Sequence, residues 1–248
     1  MKLSDFEFTV QVDGQDVSVL QMGKGEQMLC LHGYLSSKEA FAKQMLYFSK
    51  FYQVTAIDFL GFGKSAPLTK PFSVLDYARW TKKVLDCLGI ERPKVIAHSF
   101  GCRVAVKMAK EYHQVFDEML LTGPAGVVLP RGLGYWWKVK TYRLVKRFAP
   151  KFAEEKFGSK EYRSLSPIMK ESYKKIVNED LRADARQIGN RILILQGSED
   201  CTTTRAEAEA YLRYFERGSM KIVEGGHFAF VENALQFNMW AEEFFSNG

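Results

Sequence analysis

The chain is poor in the residues that staple or metallate a small domain, with four cysteines and four histidines in 248 positions. Cys30, Cys87, Cys102 and Cys201 follow neither a metal-ligand spacing nor a disulfide framework, so reduced thiols are expected, with Cys30 and Cys87 in the core. No two histidines stand at ligand spacing, so the expectation is no metal and no other cofactor. No apolar run approaches the ~18 residues that suggest a membrane span. The start, Met1-Lys2-Leu3-Ser4-Asp5-Phe6-Glu7, lacks a basic region followed by an apolar stretch, which leads to the expectation of a cytoplasmic protein. Internal repeats and low-complexity linkers are also missing. A chain of this length forms one domain that buries roughly three quarters of its unfolded surface, so it needs no staple.

Acidic residues are missing from one stretch. Arg131, Lys138, Lys140, Arg143, Lys146, Arg147 and Lys151 follow one another with none between them, within a net charge of +6. A solvated helix face, an attraction for acidic substrates and a membrane-surface patch all fit this pattern. Nucleic acid is not expected, because no recognition motif accompanies the charge. Gly61-Phe62-Gly63-Lys64-Ser65 ends like a phosphate-binding loop, but Asp58 stands where the first glycine belongs and would repel phosphate.

What is present is alternation. Phe6 to Val12, Val17 to Met22, Met28 to Leu31, Val54 to Ile57, Lys94 to Ile96 and Glu118 to Leu121 read as strands. Helical patterns fall near Lys38 to Ser49, Val74 to Leu88, which stops at Gly89, and Phe100 to Lys110. Repeated strand-helix-strand units imply an α/β fold with a mostly parallel sheet covered on both faces. From about Gly126 to Ile188 the pattern turns helical, aromatic and basic, and alternation resumes at Arg191.

The run Lys94-Val95-Ile96-Ala97-His98-Ser99-Phe100-Gly101 sets a serine on a strand-to-helix turn, with small Ala97 and Gly101 two places either side. Such a turn projects a hydroxyl above the sheet. The hydroxyl needs a base, and the base needs an orienting group. His113 lies in a polar stretch, and alternation directs His98 to the opposite face, so both read as structural. His227, between Gly225-Gly226 and Phe228 after the strand Met220 to Val223, is the best candidate base. The acid is Asp200, which follows the strand Ile192 to Leu195 and a turn at Gly197; Glu199 is its competitor and is expected to face solvent.

The order Ser99, Asp200, His227 is that of the α/β-hydrolases, and the chain resembles that superfamily over nearly its whole length. Leu31-His32-Gly33 is similar to the oxyanion-loop signature, and Asp58-Phe59-Leu60-Gly61-Phe62-Gly63-Lys64-Ser65 resembles the D-x-x-G-x-G-x-S loop. Ala97 departs from the usual first glycine of the serine turn, and Cys102 from a common second glycine after Gly101. The resemblance implies an eight-stranded α/β-hydrolase core over residues 1–125 and 189–248, with a helical lid at 126–188 after strand six. It implies an oxyanion hole built from the backbone N–H groups of Tyr34 and Phe100. Trp136, Trp137 and Phe228 are candidates for an acyl pocket, although an apolar stripe along Trp136 to Phe148 equally serves packing.

The expected activity is cofactor-independent serine hydrolysis, first as a carboxylesterase on small or medium acyl esters, with carbon–carbon bond hydrolysis as the alternative. A lyase similar to the menaquinone-pathway branch is a further candidate. That branch carries S-x-G-G-R with an arginine for a substrate carboxylate, and Arg103 stands at the matching position here. A slow-turnover ligand receptor is the fourth. The expected partner is a small-molecule ester or related carbonyl compound; the oligomeric state is left open.

Overall fold

A computed structural model describes residues 2–129 and 160–247. Eight strands, β1 (Glu7–Val12), β2 (Gln15–Met22), β3 (Glu26–Leu31), β4 (Tyr52–Ile57), β5 (Lys94–His98), β6 (Glu118–Thr122), β7 (Arg191–Gly197) and β8 (Gly218–Val223), form one sheet. Their order across it is β1-β2-β4-β3-β5-β6-β7-β8. Pairing is antiparallel only where β2 meets β1 and β4, and parallel from β4 to β8. The expected eight-stranded, mostly parallel α/β-hydrolase architecture is therefore present.

Alternation along the central strands feeds two separate cores. Leu29, Leu31, Val95, Ala97, Met119 and Leu121 face helices α2 (Val74–Leu88) and α3 (Phe100–Glu111). Met28, Cys30, Ile96 and Leu120 face the other way, towards α1 (Ala42–Phe48) and the last helix, Ala234–Ser246, which supplies Phe237, Ala241, Phe244 and Phe245. Burial on both faces explains why these strands read as continuous apolar runs. Each fully buried Leu or Phe contributes about 1.5–3 kcal/mol.

Helix α2 begins at a capping box, in which the Ser73 side chain accepts from the Asp76 N–H while Asp76 reaches back to Ser73, and ends at Gly89 in the left-handed region. Its buried residues are Val74, Tyr77, Ala78, Trp80, Thr81, Val84 and Leu85; Cys87, in its last turn, is exposed, contrary to its expected place in the core. Cys30 is buried as expected.

Between β6 and β7 the described residues hold the helices Lys160–Ser164, Pro167–Val177 and Arg182–Ala185, and no strand. They dock on the core through the buried side chains of Leu165, Met169, Ile176, Leu181 and Ala185 and through polar contacts, in which the Tyr34 hydroxyl donates to the Met169 carbonyl at 3.1 Å and the Phe72 N–H to Ser172 Oγ at 2.8 Å. The basic stretch Arg131 to Lys151, with Trp136 and Trp137, lies outside the described residues.

Candidate active site

Parallel strands present their carboxyl ends at one edge of the sheet, and the turns that leave β5, β7 and β8 converge there. Ser99 sits between β5 and α3 with φ 50° and ψ −107°, a conformation rare for a residue with a side chain. The chain can turn this sharply because Gly101 lies against β3, where any Cβ would collide with the Leu31 carbonyl oxygen. The strain lifts the Ser99 hydroxyl into a cavity that it shares with His227, Arg103, Phe228, Leu35 and the aliphatic wall of Val127, Val128 and Leu129.

Asp200 follows β7 and is buried, whereas Glu199 is exposed. Its Oδ1 accepts from the Thr202 and Thr203 N–H groups at 2.8 and 3.0 Å, and its Oδ2 lies 2.8 Å from His227 Nδ1. Burial pushes this carboxyl up, but the His227 imidazole and the Thr203 and Thr202 amides outweigh burial and hold it down at about 2. Asp200 is thus ionised and aimed at the imidazole. The structure therefore brings Ser99, Asp200 and His227 to one site. The Asp200–His227 bond is formed; among the described residues no hydrogen bond joins Ser99 to His227, a link that often closes only around substrate.

Two side chains at this site carried no individual signal in the sequence. Thr203 donates its hydroxyl to Asp200 Oδ2 at 2.9 Å and lies 3.3 Å from His227 Nδ1, which fixes the carboxylate; the run of three threonines after the acid was its only trace. His98 points to the face of Ile96, as alternation requires, yet that is the face over which the His227 loop folds. Its ring centroid lies 4.6 Å from that of His227.

The Tyr34 and Phe100 N–H groups find no acceptor among the described residues. Phe100 opens α3, where the first N–H groups are orphaned by helix geometry. Tyr34 belongs to a turn in which the Ser36 N–H donates to the Gly33 carbonyl. His32 Nδ1 lies 2.7 Å from the same carbonyl, and its Nε2 accepts from the Phe59 N–H at 3.1 Å, so the ring is neutral with its proton on Nδ1. Burial pushes His32 down to about 4. By holding the Gly33 carbonyl, His32 sets the plane of the peptide that carries the Tyr34 N–H. The Tyr34 and Phe100 rings meet edge to face at 5.5 Å and brace both donors.

Arg103, one turn into α3, is buried and lines the cavity. Its Nη1 donates to the Glu179 carbonyl at 2.6 Å, and no carboxylate pairs with it among the described residues. The nearby acids are engaged elsewhere, Glu179 with Lys107 and Asp180 with Arg182. Phe228 is 41% exposed at the rim beside Leu35. Among the described residues no group of side chains could hold a metal ion, and no helix is long and apolar enough to cross a membrane.

A hydroxyl on a strained turn, an imidazole held by a carboxylate and two free N–H donors is the set that acyl chemistry requires. Comparison with known proteins places the fold among known families. A family model described as alpha/beta hydrolase fold matches residues 27–167. The chain is 30% identical over 105 residues to an uncharacterized protein of Mycobacterium tuberculosis, but that match spans only 31% of the relative's length. It is 25% identical to a 2-hydroxymuconate semialdehyde hydrolase of Pseudomonas putida, over 77% of this chain and 76% of the relative. Its fold is similar to that of a meta-cleavage product hydrolase from Pseudomonas fluorescens, with a TM-score of 0.77 at 21% identity, covering 98% of this chain and 99% of that one.

Proposed function

The chain belongs to the alpha/beta hydrolase fold family, and from that premise we propose that it is a serine hydrolase whose nucleophile, acid and base are Ser99, Asp200 and His227. The observation that carries this reading is the 2.8 Å Asp200–His227 bond beside a serine held at positive φ in the same cavity. In the first half-reaction the Ser99 hydroxyl attacks a carbonyl carbon and gives its proton to His227 Nε2. Asp200 stabilises the resulting imidazolium. The negative charge on the carbonyl oxygen is met by the Tyr34 and Phe100 N–H groups, each worth about 10²–10³ in kcat. The imidazolium then protonates the leaving group, and an acyl-enzyme remains. Water, deprotonated by His227, attacks the acyl carbon and releases the acid and Ser99.

The first substrate class is a carboxylic ester with a small or medium acyl group, because Leu35, Val127, Val128, Leu129 and Phe228 offer an apolar wall beside the serine. Residues 126–188 act as a lid in this reading, and Trp136 and Trp137 belong to it. A second reading, carbon–carbon bond hydrolysis, is favoured by Arg103, a buried cation that faces the same cavity and has no carboxylate partner among the described residues. A guanidinium in that position is stabilised by an anionic group on the substrate, and a hydrolase of a semialdehyde acid is among the relatives.

Hydrolysis of p-nitrophenyl esters from acetate to decanoate, by wild type and by Ser99→Ala, tests the proposal. Activity with a chain-length optimum that vanishes in Ser99→Ala is expected. Folded wild type that cleaves no ester overturns the esterase reading and directs the test to vinylogous 1,5-diketone acids, to the lyase reaction and to tight binding without turnover. Arg103→Ala separates the two substrate classes, since it abolishes turnover only of anionic substrates.

A further inference from the structure

His98 is the buried polar side chain at the site for which the mechanism above has no use. It is 1% exposed, and its ring is packed against His227, Phe228 and Phe230 at centroid distances of 4.6, 4.9 and 4.8 Å. Its Nε2 lies 2.9 Å from the backbone carbonyl of His227. A carbonyl only accepts, so Nε2 carries the proton and Nδ1 is bare. That Nδ1 is buried with no hydrogen-bond partner. It abuts Gly33, where a Cβ would come within 2.8 Å of it.

One ring therefore touches three parts of the site. It precedes the serine in the chain, it fills the space beside the oxyanion loop, and it holds the backbone of the base. We propose, on the basis of the serine-hydrolase reading above, that His98 is the positioning residue of the site, keeping His227 in register with Asp200 through the bond from its Nε2–H to the His227 carbonyl. Gly225 and Gly226, which lead into the base, are themselves held by the Ser198 hydroxyl and the Glu232 carboxylate, and the bond to the His227 carbonyl extends that hold to the base itself. Leaving a buried nitrogen unpaired is costly, and a site that tolerates that cost at Nδ1 does so to present a donor at Nε2.

The same packing keeps His98 neutral. The groups around it are His227 from the base loop, Asp200 from the acid loop and His32 from the oxyanion loop, with Gly33, Phe228 and Phe230 completing the enclosure. Burial, followed by the adjoining His227 ring, pushes His98 down to about 3, against the opposing pull of the His227 carbonyl and Asp200. A neutral ring 4.6 Å away does not repel His227 when His227 becomes cationic during turnover, as a second imidazolium would.

Two variants and a spectroscopic readout test this. His98→Leu fills the volume without a donor, and His98→Gln sets an amide N–H at about the reach of Nε2. With p-nitrophenyl acetate, His98→Leu is expected to lower kcat about 100-fold with KM little changed, the size of a misplaced catalytic group, and His98→Gln to recover at least a factor of ten. In protein labelled with 15N-histidine, the downfield proton of the His227–Asp200 bond should persist in wild type and His98→Gln and broaden away in His98→Leu. His98 should not titrate between pH 5 and 9. A Leu variant that keeps both kcat and that proton, or a His98 that titrates in this range, overturns the proposal. The resonance arm needs no turnover, so failure of the serine-hydrolase reading, seen as activity that survives Ser99→Ala, is distinguishable from failure of this one.

Discussion

Two histidine–aspartate pairs lie at the same end of the sheet, and only one of them opens onto the cavity. His32 and Asp58 are both fully buried, 4.0 Å apart. Both nitrogens of His32 are committed, one to the Gly33 carbonyl and one to the Phe59 N–H. Asp58 is committed as well: its carboxylate accepts from the Lys38 N–H and from Nζ of the fully buried Lys38, and from the Lys64 N–H. At His227 and Asp200 the inner bonds are equally complete, yet Nε2 of His227 has no partner among the described residues and His227 lines the cavity. Residue type is the same in the two pairs; the difference lies in the nitrogen left open. The first pair holds loops in place, and the second is the one to which the proposed mechanism gives the proton transfer.

The comparison breaks most visibly at the open nitrogen. His227→Ala is expected to lower kcat about 10⁴–10⁶-fold while leaving the thermal midpoint within a few degrees of wild type. If turnover on esters survives, the two pairs are equivalent and the assignment of His227 is wrong. Asp200→Asn, which keeps the shape but releases the imidazole to the wrong tautomer, should cost about 10⁴ in kcat, measured under single-turnover conditions so that binding is separated from chemistry.

At the closed pair the expected loss is in stability. Asp58→Ala removes the carboxylate that pairs with Lys38 and accepts two backbone N–H groups, leaving Glu7 and Glu39 as the remaining partners of that lysine. A fall of about 3–5 kcal/mol in unfolding free energy is expected, read from urea midpoints. An Asp58→Ala protein as stable as wild type would mean that this pair is no structural hub. The same network answers the phosphate-loop pattern seen in the sequence. The Lys64 N–H turns in to the Asp58 carboxylate, and the Ser65 hydroxyl donates to the Asp58 carbonyl, so the donors that a phosphate would need are spent on the loop itself.

Acid pH sharpens the contrast by a smaller amount. Asp200 is held at about 2, below the 3.8 of a free aspartate. Its contribution is therefore complete above pH 4 and is lost as the pH falls from about 4 to 2, and is worth about 2 kcal/mol at neutral pH. Asp200→Asn should flatten the stability profile in that window while leaving it parallel to wild type above pH 5. A variant that still loses the full wild-type increment between pH 4 and 2 would assign that limb to other carboxylates.

How much of this was legible beforehand follows from distance along the chain. The sheet was readable because both its faces are buried, which makes its strands continuous apolar runs. Ser99, Asp200 and His227 were readable because each follows a strand and is flanked by glycine or another small residue. What could not be read depends on which loop folds over which. The contact of His98 with His227 joins residues 129 positions apart. Lys38, at the start of a helical turn, is buried among three acids that the sequence pattern does not bring together. That Arg103 pairs with no acid among the described residues becomes visible only when Glu179 and Asp180 are seen paired with other cations.

The smallest effect concerns where the two regions place strained backbone. The Asp58 loop uses only glycine at its positive-φ positions, Gly61 and Gly63, whereas the site, besides Gly123 and Gly225, also uses Ser99 at φ 50° and Leu35 at φ 57°. At Ser99 the strain exposes a hydroxyl, and no glycine could replace it. Leu35 lies third in the turn from Gly33 to Ser36, a place that favours glycine, and its side chain is 47% exposed at the cavity rim. Leu35→Gly relieves the left-handed strain of about 1 kcal/mol but adds freedom to the unfolded chain worth a similar amount, so stability should move by less than about 1 kcal/mol. The rim loses an apolar contact at the same time, and KM for octanoyl or decanoyl esters should rise more than KM for acetate. An equal rise for all chain lengths would mean that Leu35 serves the turn alone, and that strain at the site is confined to the serine.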